Sequence, residues 1–164
     1  METIFRFFSR HAWILFIAVT IFNELRFRQK ASEFINAHPE LKRGYNKFWR
    51  KYLVIINIPW LIIAIGDITG MTESVNDFLF PLSMKPIVLM FHLSVLGLLI
   101  TAFYWIYLYD GAEFLATFPN RFNNGQPNGK TNYIKILFAF ILILGIAVEI
   151  FMWLYKGSPP KFPR

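Results

Sequence analysis

The stretch "IKILFAFILILGIAVEIFMWLY" at 134–155 is interrupted only by Lys135 near its start and Glu149 near its end. A helix needs about 20 predominantly apolar residues to cross the hydrocarbon core of a bilayer, with a range of about 17–25. This run reaches that length, and so does Ile87–Tyr109. Two shorter runs precede them: Ala12–Phe22, extendable to Phe27, and Tyr52–Gly66. The short runs span if Arg10 snorkels outward and Arg26, Arg28, Arg50 and Lys51 snorkel to the other face. The expected fold is therefore an all-α integral membrane protein: one domain over 1–164, with four transmembrane helices in an antiparallel bundle. The spans fall at about 11–27, 52–68, 87–109 and 134–155.

Composition agrees. Hydrophobic residues make up 55% of the 164 positions, aromatics 19% and charged residues 16%, where a soluble domain carries about a quarter charged residues. There is no cysteine, which excludes disulfides, thiolate metal sites and cysteine nucleophiles. The net charge of +7 is unevenly placed: eight of the 17 Lys and Arg lie between residues 24 and 51 (Arg26, Arg28, Lys30, Lys42, Arg43, Lys47, Arg50 and Lys51). Basic residues concentrated beside an apolar segment mark a cytoplasmic loop. No aromatic-basic platform or motif of a nucleic-acid binder accompanies them. Loops 28–51 and 110–133 are thus expected to be cytoplasmic, with both termini outside, in a bacterial inner membrane. No A-x-A cleavage site follows the first segment, which reads as a retained span.

The chain repeats itself. "ASEFINAHP" at 31–39 and "GAEFLATFP" at 111–119 share Glu-Phe, an aliphatic residue and a closing proline 80 positions apart. Each copy reads as a helix pair with a short amphipathic stretch between its spans, repeat one over about 4–68 and repeat two over about 85–155, related by an axis along the membrane normal.

Other residues repeat with this motif. His11 precedes Glu33 by 22 positions and His92 precedes Glu113 by 21; Asp67 closes the second helix and Glu149 lies 82 positions further on. At about 1.5 Å rise per residue, all four groups occupy the outer half of the bundle. Ionisable residues inside spans are costly, face the bundle interior and mark functional sites. Two neutral imidazoles facing across a bundle can hold a haem iron as fifth and sixth ligands. Ala18 leaves room for a flat ring on the His11 side, and Leu96, Leu99 and Phe103 share the face of His92. Asp67 and Glu149 would orient the imidazoles or relay protons. Ser94, Gly97 and Thr101 read as a close helix-packing stripe. His38 reads as a solvated loop residue, Asn57 and Pro59 as a kink, and Trp60, Tyr104 and Trp105 as packing or interfacial anchors. "NNGQPNG" at 123–129 is a turn without the ending that phosphate cradling needs.

"RKYLVIINIPWLI" at 50–62 and "FHLSVLGLLITAFYW" at 91–105 resemble the second and third helices of the HemJ-type protoporphyrinogen oxidases and the wider CopD-like group. Those are small four-helix membrane proteins whose first helix begins with a histidine. His92 stands where that family has a lysine. The resemblance implies haem b held by His11 and His92; a quinone or porphyrinogen-like compound is the electron donor expected for such a protein.

Three functions are therefore expected to compete. The first is a haem-b membrane oxidoreductase with bis-His ligation. The second is metal-ion or proton transport through a two-His, two-carboxylate site. The third is a non-catalytic subunit or assembly factor of a larger membrane complex, or a homo-oligomer, with "KRGYNKFWRK" at 42–51 as its docking or lipid-contacting loop.

Overall fold

The computed structural model describes residues 2–118 and 129–157, without the side chains of residues 2–10; "NNGQPNG" falls almost wholly outside the described residues. All regular structure among the described residues is helical. Helix α1 runs Glu2–Ala37, α2 Lys42–Ile68, α3 Pro86–Leu108, α4 Gly111–Thr117 and α5 Thr131–Leu154, with single 3₁₀ turns at Pro39–Leu41, Val75–Leu79 and Pro81–Ser83.

The boundaries follow from local chemistry. Pro39 has no backbone N–H and cannot extend α1; the chain turns there, with the His38 amide bonded to the Phe34 and Ile35 carbonyls. Pro86 opens α3 at its first turn, where the missing donor costs nothing. Gly70, at φ +70°, closes α2, and its amide returns to the Asp67 carbonyl. Helix α2 is continuous through Asn57 and Pro59, where the kink is expected. Helix α1 has non-helical backbone at His11 (φ −108°, ψ 23°).

Among the described residues, three helices are long and apolar enough to cross a membrane: Pro39–Ile68, Pro86–Leu108 and Thr131–Leu154. The span expected at 11–27 lies inside α1, which is not among those three. Its uninterrupted apolar run, Ala12–Phe22, covers only roughly 16 Å, and Asn23, Glu24 and Arg26 follow at once. Large apolar side chains such as Leu93 (68% exposed), Phe140 (68%) and Ile143 (67%) point away from the protein. On α3 and α5 that is a surface suited to contact with a bilayer.

The helices pack in chain order: α1 on α2, α2 on α3, α3 on α5, with α4 tucked against α3 and α5. At one end, an aromatic cluster joins them. Phe48 of α2 stacks on Trp105 of α3 (4.8 Å between ring centroids) and meets Phe114 of α4, and Tyr45 and Phe34 meet Phe118. Trp105 is thus a packing residue, as is Trp60, which stacks on Phe16 at 4.1 Å; Tyr104 is exposed. The α3–α5 crossing is close at Gly145, where an added Cβ would lie 2.8 Å from Leu99. Gly97 and Thr101, expected on a packing stripe, are exposed, and a Cβ on Gly97 would meet nothing within 4 Å.

The two copies of the Glu-Phe motif take different backbone paths. The first continues α1 without a break, whereas the second is a separate helix. It follows a left-handed Asp110 (φ +54°) and starts at Gly111. A Cβ on Gly111 would sit 2.6 Å from both the Trp105 carbonyl and its ring, so the chain folds back on itself only with glycine there. The equivalent position in the first copy is Ala31, fully buried in the continuous helical stretch of α1 that follows His11.

Candidate functional site: two histidine–carboxylate pairs

The four ionisable residues singled out from the sequence meet as two pairs. His11 Nδ1 lies 3.0 Å from Asp67 Oδ2, and Trp13 Nε1 donates to the same oxygen at 3.1 Å. His92 Nδ1 lies 2.8 Å from Glu149 Oε2. The first pair lies in the α1–α2 seam at the far end of α2, and the second in the α3–α5 seam. Asp67 is buried and His11 partly exposed, whereas both members of the second pair are buried.

The non-helical backbone at His11 turns the chain where α1 meets the last turn of α2. On α3, burial of Ile87, Val88 and His92 sets the inward face, and Glu149 is the buried residue of α5 at that level. Phe91 and Trp153 pack their rings edge-on to the His92 imidazole.

The loop between α2 and α3 completes the site. Its 3₁₀ turn at Val75–Leu79 presents the Phe78 carbonyl to His92 Nε2 at 3.0 Å. The Phe78 ring, 1% exposed, packs in a core with Ile63, Ile87 and Val88. It also presses on Gly66, where an added Cβ would be 2.9 Å from the ring. Gly66 adjoins Asp67, so Phe78 stands between the two pairs, touching one with its carbonyl and the neighbourhood of the other with its ring. The turn is held by Asp77, whose Oδ2 accepts from Lys85 Nζ at 2.7 Å and from the Glu73 amide at 3.0 Å. Nothing in the sequence pattern marked Phe78 as part of the site; its contribution is a backbone oxygen.

Hydrogen-bond accounting at His92 is decisive for its chemistry. A carbonyl oxygen only accepts, so Nε2 carries its hydrogen toward Phe78. The Nδ1···Oε2 contact then needs a proton of its own. It is either an imidazolium donating to a glutamate or a glutamic acid donating to a neutral imidazole. The pair holds one titratable proton in both cases. Glu149 Oε1 is buried without a hydrogen-bond partner among the described residues.

These positions do not fit bis-His haem ligation. Both ring nitrogens of His92 are engaged by the protein, which leaves no lone pair for iron. Ala18, Leu96 and Phe103, expected to line a porphyrin, face outward. Helices α1 and α3 each pack on α2 rather than chiefly on one another. No group of three or more His, Cys, Asp or Glu residues capable of holding a metal ion occurs among the described residues, so the two pairs do not merge into one four-ligand centre. His38 is exposed and meets Glu40, at 3.3 Å, and the Phe34 ring.

Glu24 is a further buried ionisable residue. It is 1% exposed, on the inward stripe of α1 between Thr20 and Phe27, and lies within electrostatic reach of Tyr45 on α2, as does Arg28. Its neighbours in sequence, Arg26 and Arg28, made it look like the edge of a charged loop. The spacing from Trp13 through Ile17 and Thr20 to Glu24 is the signal that places it on the inner face.

Comparison with family models, with curated proteins and with solved structures finds no match.

Proposed function

We propose that the chain is an integral membrane protein that takes up and releases protons inside the bilayer, in proton transport, with His92–Glu149 as its central proton-holding group. The observation that carries this reading is the fully buried His92, whose Nε2 is committed to a carbonyl while Nδ1 shares one proton with a buried carboxyl. An ionisable pair is expensive in an apolar surrounding, and in membrane helices such groups mark proton relays. A structural role alone would be served at lower cost by apolar side chains of similar volume.

In this reading α1 is the fourth span. Its support is the packing of α1 along α2, with His11 beside Asp67 at the far end of that helix. The Lys- and Arg-rich end is then cytoplasmic by the positive-inside tendency, and both His–acid pairs lie toward the opposite face. Duplication of a helix pair is supported by the matching separations of the partners, 56 positions for His11–Asp67 and 57 for His92–Glu149.

The purified protein in liposomes loaded with a pH-sensitive dye tests the reading. An imposed potassium diffusion potential should drive proton entry faster than in protein-free liposomes, and Glu149→Gln should abolish the difference. Wild-type liposomes that acidify no faster than empty ones would overturn it.

A further inference from the structure

Besides the His11–Asp67 pair, α1 and α2 each carry a buried polar side chain, Glu24 and Asn57. Glu24 lies 13 residues beyond His11 on α1. At about 1.5 Å per residue that is roughly 20 Å along the helix. Between these levels, α2 contributes Asn57. It is 8% exposed; its Nδ2 donates to the Leu53 carbonyl at 2.7 Å, and its Oδ1 is buried with no hydrogen-bond partner among the described residues. Asn57 is ten residues from Asp67, roughly 15 Å along α2. A buried amide oxygen left without a partner in mid-helix is costly, and water is the ordinary donor that satisfies an acceptor in such a place.

We infer that the α1–α2 seam is the proton path toward the His92–Glu149 site, with Glu24 as its entry group at the basic end, Asn57 orienting water nearer that end and His11–Asp67 at the far end, beside the Phe78 turn. This rests on the proton-transport reading above and adds the route. Tyr45 on α2 lies within electrostatic reach of both Glu24 and Arg28, which is one turn along α1 from Glu24. A proton arriving from solvent binds a Glu24 carboxylate oxygen. It leaves that oxygen for a water in the seam, and the Asp67 carboxylate or His11 accepts a proton from the last water. One proton enters and one leaves, with no change in oxidation state.

The experiment is the same liposome assay with Glu24→Gln, Asn57→Leu and the control Arg43→Gln, paired with infrared difference spectra between acidic and alkaline pH. Glu24→Gln should slow proton entry about tenfold or more, since a positioned acid–base group is removed. It should also delete one carboxyl band from the spectrum. Asn57→Leu should slow entry while keeping that band, and Arg43→Gln should leave both intact. A folded Glu24→Gln protein that conducts like wild type overturns the route and leaves proton transport standing. If Glu24→Gln does not fold, wild-type rates in Asn57→Leu overturn the route in its place. If wild type itself does not conduct, the transport reading fails, and the absence of a Glu24 band then overturns the route separately.

Discussion

The two long seams of the molecule differ in what they bury. Between α3 and α5 the buried residues Ile106, Ile134 and Leu142 and the close Leu99–Gly145 contact make an apolar interface, with one His–Glu pair at its end. On α1 and α2, buried Glu24 and Asn57 accompany the His11–Asp67 pair. The apolar seam fixes the geometry of its pair by close packing. A seam with polar groups at several levels gives its pair neighbours to exchange with. The difference separates a proton-holding site from a candidate route, and Phe78 is the residue that adjoins both.

The largest expected effect that tests this contrast is at the apolar seam. His92→Leu leaves Glu149 buried without its partner and should cost about 3–5 kcal/mol, most of it recovered in His92→Leu/Glu149→Leu. Denaturant unfolding in detergent measures both, and a double variant as unstable as the single one would argue against a paired origin. Next comes the backbone difference between the motif copies. Gly111→Ala places a Cβ 2.6 Å from the Trp105 carbonyl and should cost about 1–3 kcal/mol as overpacking. Ala31→Gly, in a continuous helical stretch, should cost about 1 kcal/mol. Thermal melts of the two variants rank them. His11→Ala should cost about 1 kcal/mol, less than His92→Leu, because His11 is partly exposed and Asp67 keeps Trp13. The smallest effect belongs to His38→Ala, whose exposed contact with Glu40 should change stability by no more than about 0.5 kcal/mol.

Much of this architecture was legible in the sequence, and what was not has physical causes. The apolar runs at 87–109 and 134–155 announce α3 and α5 because length and hydrophobicity are local properties. His11, His92, Asp67 and Glu149 stood out because ionisable groups are rare in apolar surroundings. Whether each histidine faces another histidine or an acid depends on how each helix is rotated about its axis. That rotation is set by contacts such as Leu99–Gly145 and Phe16–Trp60, which join residues far apart in the chain. Glu24 was passed over because a charged neighbour in sequence says nothing about which face of α1 is covered. Phe78 was invisible because any residue offers a carbonyl, and only the fold of the loop aims this one.

The amino-acid order alone determined that the chain is helical and apolar, where its basic residues concentrate, and which ionisable side chains sit among apolar neighbours, since these depend on residues adjacent in the chain. The tertiary structure decided that His11 meets Asp67, that His92 meets both Glu149 and the Phe78 carbonyl, and that Glu24 is covered. Such pairings are fixed by helix rotation and loop path, which emerge only when distant segments pack together.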